Sequence, residues 1–148
     1  MFRTRIALAA LLGSSALFCG CSHEFKPGDI SGSYRGMNLG INSHGSFHYV
    51  NWAKFEASPD GTFKGELGWT SDKEAVPGNA ASGGAVVKSD TEEVIGLFNP
   101  KDGTFVLVET EESGTGIGIL KPDGTLEFLK TQPGEKPLVS FATLHRED

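Results

Sequence analysis

Residues 61–70 read GTFKGELGWT. Phe63, Leu67 and Trp69 fall on one parity with Gly65 between them, and Thr62, Lys64, Glu66 and Thr70 fall on the other. Alternation with a period of two predicts a strand with one buried face and one wet face. The run before it, SFHYVNWAKFEA, alternates more loosely: Phe47, Tyr49, Ala53 and Phe55 oppose His48, Val50, Trp52 and Lys54. That second face is unusually aromatic for a wholly exposed surface. Further strand-like runs fall at 32–39, 85–88, 93–98, 104–110, 116–121, 125–129 and 138–145. No long helical periodicity follows the leader. Short apolar runs at close spacing, punctuated by Gly, Asp, Asn and Pro, predict an all-β domain. The expected architecture is an antiparallel meander of about 8–9 strands, as an up-and-down barrel or a sandwich.

Three of the punctuating stretches nearly repeat: SPDGTF at 58–63, NPKDGTF at 99–105 and KPDGTL at 121–126. Calcium loops need several oxygen ligands converging on one ion, as in the pattern D-x-[DN]-x-[DN]-G with a distant Glu. None of the three stretches has that spacing. Each residue has instead a role in a tight turn: Pro presets φ, Asp bonds locally, and Gly takes the left-handed conformation. Three alike hairpins favour a meander. Glycines in GTGIGIL, 114–120, fit a strand that bends or is approached closely by a neighbour. The stretch SDKEAVPGNAASGG, 71–84, is small and polar and reads as a mobile loop.

The N-terminus has a different pattern. Arg3 and Arg5 precede an apolar run over 6–18. That run falls short of the roughly 20 residues a spanning helix needs, and it has the form of a secretory signal peptide. Ala16-Leu17-Phe18-Cys19-Gly20-Cys21 resembles the lipobox of bacterial lipoproteins. The resemblance implies that 1–20 is a lipoprotein signal peptide and that Cys21 carries acyl chains. Residues 21–28 would then be a lipidated tether, and 29–148 a single β domain. Ser22 after that cysteine implies the outer membrane of the bacterial envelope. The competing reading is an ordinary secreted protein cut near Gly20.

The chain has 148 residues and 2 cysteines, both at this junction. Beyond Cys21 there is therefore no disulfide framework, zinc–thiolate site or thiol nucleophile. Removing the two leader arginines takes the formal net charge from −6 to near −8. That balance argues against nucleic acid as a partner.

Candidate chemistry is sparse. His23, His44, His48 and His145 exhaust the histidines, and a catalytic zinc wants three protein ligands together. Glu92 and Glu93, and Glu109, Glu111 and Glu112, flank apolar runs and could form a carboxylate pair, although acidic strand ends are ordinary. No nucleophile elbow or phosphate-binding glycine loop is present. Ser31-Gly32-Ser33-Tyr34 resembles a short element of bacterial periplasmic lysozyme inhibitors, which implies insertion of Ser31 and Tyr34 into a lysozyme cleft. The aromatic first half resembles small barrels such as avidins and lipocalins, whose mouths hold ligands.

These readings point to a membrane-anchored, non-catalytic envelope lipoprotein with a binding or protein-interaction role and no cofactor or metal. Its partners would be the membrane, through Cys21, and a protein or small molecule. The candidate contact surface is Tyr34, His48, Trp52 and Trp69. The alternatives are a lysozyme inhibitor, a small-molecule-binding barrel and a structural envelope component. A structural component would have a filled barrel and a broad exposed apolar patch.

Overall fold

A computed structural model describes residues 23–71, 89–135 and 137–148. The leader and Cys21 lie outside the described residues, as do the run at 85–88 and nearly all of 71–84. Eight strands form: β1 (Gly32–Asn42), β2 (Gly45–Ala57), β3 (Thr62–Thr70), β4 (Ser89–Phe98), β5 (Thr104–Glu109), β6 (Thr115–Leu120), β7 (Leu126–Gln132) and β8 (Leu138–Arg146). Each pairs antiparallel with the next, and β8 returns to β1, which closes the barrel. Closure gives every strand a neighbour on both sides. The fold is thus the all-β meander predicted by the alternation, in its barrel form.

The three repeated stretches connect β2 to β3, β4 to β5 and β6 to β7. In an up-and-down meander every second hairpin returns at the same end, so all three turns lie at one end, here called the floor. In each turn the Asp carboxylate accepts from the Thr two residues on. Thr62 N and Oγ1 lie 3.0 and 2.7 Å from Asp60, and Thr104 N and Oγ1 lie 3.0 and 2.6 Å from Asp102. Thr125 N lies 2.9 Å from Asp123. These bonds hold all three carboxyls below the usual range, the Thr hydroxyl leading at Asp60 and Asp102 and the backbone N–H at Asp123. Gly61, Gly103 and Gly124 have φ of +87°, +77° and +84°. The stretches are turns with their carboxylates engaged by the loop itself.

The floor half of the barrel is filled with aromatic and aliphatic side chains. Tyr34, Phe55, Phe63, Phe98, Phe105 and Phe128 are buried there, with Leu126 and Leu144. Rings step around the interior, from Phe55 to Phe63 at 5.0 Å, to Phe105 at 6.3 Å and on to Phe128 at 6.0 Å. The space comes from glycines on facing strands. At Gly118 a Cβ would sit 2.4 Å from Phe128 Cβ and 2.7 Å from the Phe105 ring. The glycines of GTGIGIL thus make room for larger side chains, Gly118 for Phe105 and Phe128 and Gly116 for Leu107, the large–small alternation that small barrels use.

The segment before β1 seals the floor. Phe25 N donates to Pro100 O at 3.0 Å, and the Phe25 ring meets Phe98 edge-on at 6.0 Å. A short 3₁₀ turn, Pro27–Ile30, then brings Ile30 into the core. Arg146 locks the turn to β1: its guanidinium donates to Asp29 O, to Ser31 O and to Tyr34 Oη, and lies 4.9 Å from the Tyr34 ring centroid.

Candidate interaction surface

The wall of the barrel carries the most unusual chemistry. Strands β2 and β3 have the outward face expected of a solvated sheet. Lys54 stands opposite Glu66, and Glu56 opposite Lys64, all four exposed. The other six strands differ. Leu97 pairs with Val106, Val106 with Ile117, Ile117 with Leu129, Leu129 with Phe141, and Phe141 with Leu39. One outward apolar residue per strand therefore forms a continuous cross-strand ladder over six strands. It begins beside Thr62 on β3 and ends beside His48 on β2. A second row, two residues towards the opposite end, adds Ile95, Val108, Val139 and Ile41, with Thr115 and Thr131 between.

These side chains remain open to solvent. Exposure runs from 41 % at Leu129 to 59 % at Ile41 and Ile117, with Phe141 at 47 %. Single exposed hydrophobics are ordinary. This band offers on the order of 1,000 Å² of contiguous apolar surface, above the roughly 300–600 Å² of the largest patch on a typical monomer. It is too low to cross a bilayer: β5 and β6 have six residues each, against about 9–11 for a spanning strand. Its two main rows rise only about 7 Å along a strand, against an outer-membrane barrel's band of about 25 Å.

Above the aromatic floor the interior is divided: Phe47, Tyr49 and Trp69 line the β2–β3 side, and a polar cluster lies on β4, β5 and β7. Lys130 on β7 reaches Glu92 Oε2 on β4 at 2.8 Å and also Glu109 Oε1 on β5. The Glu109 side chain is only 1 % exposed. Gly114 makes room for it, since a Cβ there would overlap the carboxylate. Burial pushes Glu109 up to about 7, helped by its hydrogen bond with Glu92. Burial also opposes charge on Glu92, but hydrogen bonds with Glu109 and Lys130 hold it below the usual range. Lys130 is raised despite desolvation, because both carboxylates favour its cation. Glu112, bonded to Gln132 Nε2, brings a third carboxylate within 4.8 Å. The Lys130 ammonium supplies the positive charge among them. Among the described residues, Asn38 Oδ1, Asn51 Oδ1 and Glu109 Oε2 are buried without a donor.

The four residues expected to share a surface do not. Tyr34 is fully buried; its hydroxyl donates to Ile30 O at 2.9 Å, and burial pushes it up to about 12. The reason is parity: Tyr34 stands opposite Ala53 on the inward face of β1. Ser31 Oγ accepts from Ala57 N at 2.9 Å, so Ser31-Gly32-Ser33-Tyr34 enters β1 and does not project. Trp69 also faces inward, stacked on Tyr49 at 4.7 Å, with Tyr49 on Phe47 at 4.5 Å. His48 and Trp52 do lie outside, where the Trp52 ring covers Gly68. Of the candidate carboxylates, Glu92, Glu109 and Glu112 converge. The apolar ladder and Lys130 were missed. The missed signal was apolar residues on both parities of FVLV and GIGIL, and a lysine continuing the inward series Leu126, Phe128. No family model, curated protein or solved structure matches this chain.

Proposed function

We propose that the protein is a lipid-anchored component of the bacterial envelope that acts by protein–protein contact through its outer wall, without catalysis. The observation that carries this reading is the six-strand apolar ladder beside two strands of paired charges. A sequence that places Lys54, Glu56, Lys64 and Glu66 on one side of the barrel and Leu97, Val106, Ile117, Leu129, Phe141 and Leu39 on the other distinguishes a wet side from a covered one. The filled aromatic floor supports contact by the wall over a ligand held inside. The mutual neutralisation of Lys130 with Glu92 and Glu109 supports a structural role for that cluster, since the Glu109 side chain is 1 % exposed and out of reach of a substrate. Anchoring through Cys21 rests on the resemblance of the leader to a lipobox.

Site-specific photo-crosslinking in intact cells tests the reading. A photoreactive residue in place of Ile117 or Phe141 should give discrete adducts, and one in place of Lys54 or Glu66 should not. A parallel Cys21→Ala chain should leave the membrane fraction and lose most adducts. Equal labelling from wall and charged strip would sink the proposal.

A further inference from the structure

The wall's chemistry narrows the choice of partner. We infer that it docks against a second copy of this chain, wall to wall about a twofold axis running along the barrels, with Phe141 near the axis. This deepens the proposed contact role and rests on it.

Three observations favour a like partner. The first is area. The band runs over six of the eight strands, so a twofold contact covers only the part around β8, from β7 to β1; two such faces bury on the order of 1,000 Å² in all, about the lower limit of a specific interface. The second is the pattern. The ladder carries no charge and no inward-turning polar group, so it offers an unlike partner little to fix register. A twofold contact needs only that the same patch meets itself. On the wall's own strands the acidic residues beside the ladder are Glu93 and Glu127, the latter paired with Lys121, and repulsion between separated charges is screened beyond about 8 Å. Phe141, half exposed and flanked in register by Leu129 and Leu39, is the kind of aromatic that dominates such interfaces.

The third is the route of the chain. Phe25 is fixed in the floor, and Cys21 lies four residues before it. Four residues reach at most about 14 Å. A lipid on Cys21 would thus hold the floor near the bilayer with the barrel wall standing away from it. Two copies meeting by their walls keep both floors on one side and both anchors in one membrane. Facing strands of two barrels with the usual tilt of about 35–45° cross near a right angle, one of the two common ways sheets pack.

The test uses the full chain in its membrane. Beyond Cys21 the chain is free of cysteine, so an introduced thiol reports alone. Oxidation of membranes carrying Phe141→Cys should give a disulfide-linked species of twice the chain mass, absent from the parent and from Lys54→Cys. Native mass spectrometry of the parent in mild detergent should give two chains. Phe141→Glu should weaken the dimer at least about 30-fold while keeping the β-sheet circular dichroism of the parent. A single-chain native mass, or a dimer untouched by Phe141→Glu, overturns the inference. If wall crosslinks to a different protein persist in that case, the contact role survives and the second copy does not; if they vanish too, both fall.

Discussion

At the scale of the residue, the buried charges behave as one unit. Glu109, Lys130 and Glu92 come from three strands, and each continues the inward series of its own strand: Val94 before Glu92's level, Leu107 before Glu109, Phe128 before Lys130. Breaking such a cluster strands charge in a low-dielectric interior. Lys130→Ala should cost about 3–5 kcal/mol at pH 8, and less at pH 5, where Glu109 holds its proton. The sign for Glu109 follows from its raised value. The unfolded carboxyl loses its proton around 4.5 and the folded one at about 7. Between those values the folded state binds more protons, so this group's contribution is complete below about 4.5 and declines as pH rises to about 7. Glu109→Gln should remove that slope. Urea unfolding from pH 4.5 to 8 checks both, and a parent curve rising across that window would contradict the assignment. The residues were visible in the sequence as acidic strand ends. Their convergence was not, because it depends on which strands become neighbours across the barrel interior.

At the scale of the element, parity was legible wherever one face is charged. In β3 the alternation of Phe63, Leu67 and Trp69 with Lys64 and Glu66 gave both the strand and its buried side. In β5 and β6 both parities are apolar, so the strands were legible but their inward sides were not. Tyr34 shows the same limit: an aromatic with a polar tip fits a contact surface or a satisfied core, and only the pairing with Ala53 decides. The three turns were readable because Asp, Gly and Thr each have one geometric use there. Glycines under rings give a direct test of the interior. Gly118→Ala places a Cβ 2.3 Å from Glu127 O and 2.4 Å from Phe128 Cβ. It should destabilise by about 1–3 kcal/mol. Gly28→Ala, with nothing within 4 Å, should change stability little. Denaturant midpoints decide, and equal midpoints for the two would mean that the barrel is packed more loosely than described.

At the scale of the whole molecule, the barrel has two axes of asymmetry. Along its length, an aromatic floor sealed by Phe25 and Arg146 gives way to an interior shared by the Glu92–Glu109–Lys130 cluster and the Phe47–Tyr49–Trp69 stack. Around its girth, two solvated strands give way to six with an apolar exterior. The first was only half legible: Phe98, Phe105 and Phe128 of the floor come from the later strands, while Phe47, Tyr49 and Trp69 of the aromatic first half lie nearer the other end. The second was not, because outward apolar residues on six separate strands become one patch only after closure sets their register. The proposed contact requires this wall to be covered where the protein works. Hydroxyl-radical footprinting, read by mass spectrometry on membrane fractions and on detergent-purified protein diluted until dissociated, tests it most directly. Leu39, Leu129 and Phe141 should be labelled several-fold less in the membrane than when dissociated, with Lys54, Glu56 and the β2–β3 strip unchanged. Equal labelling of the wall in both states would mean that it stays bare and meets no partner.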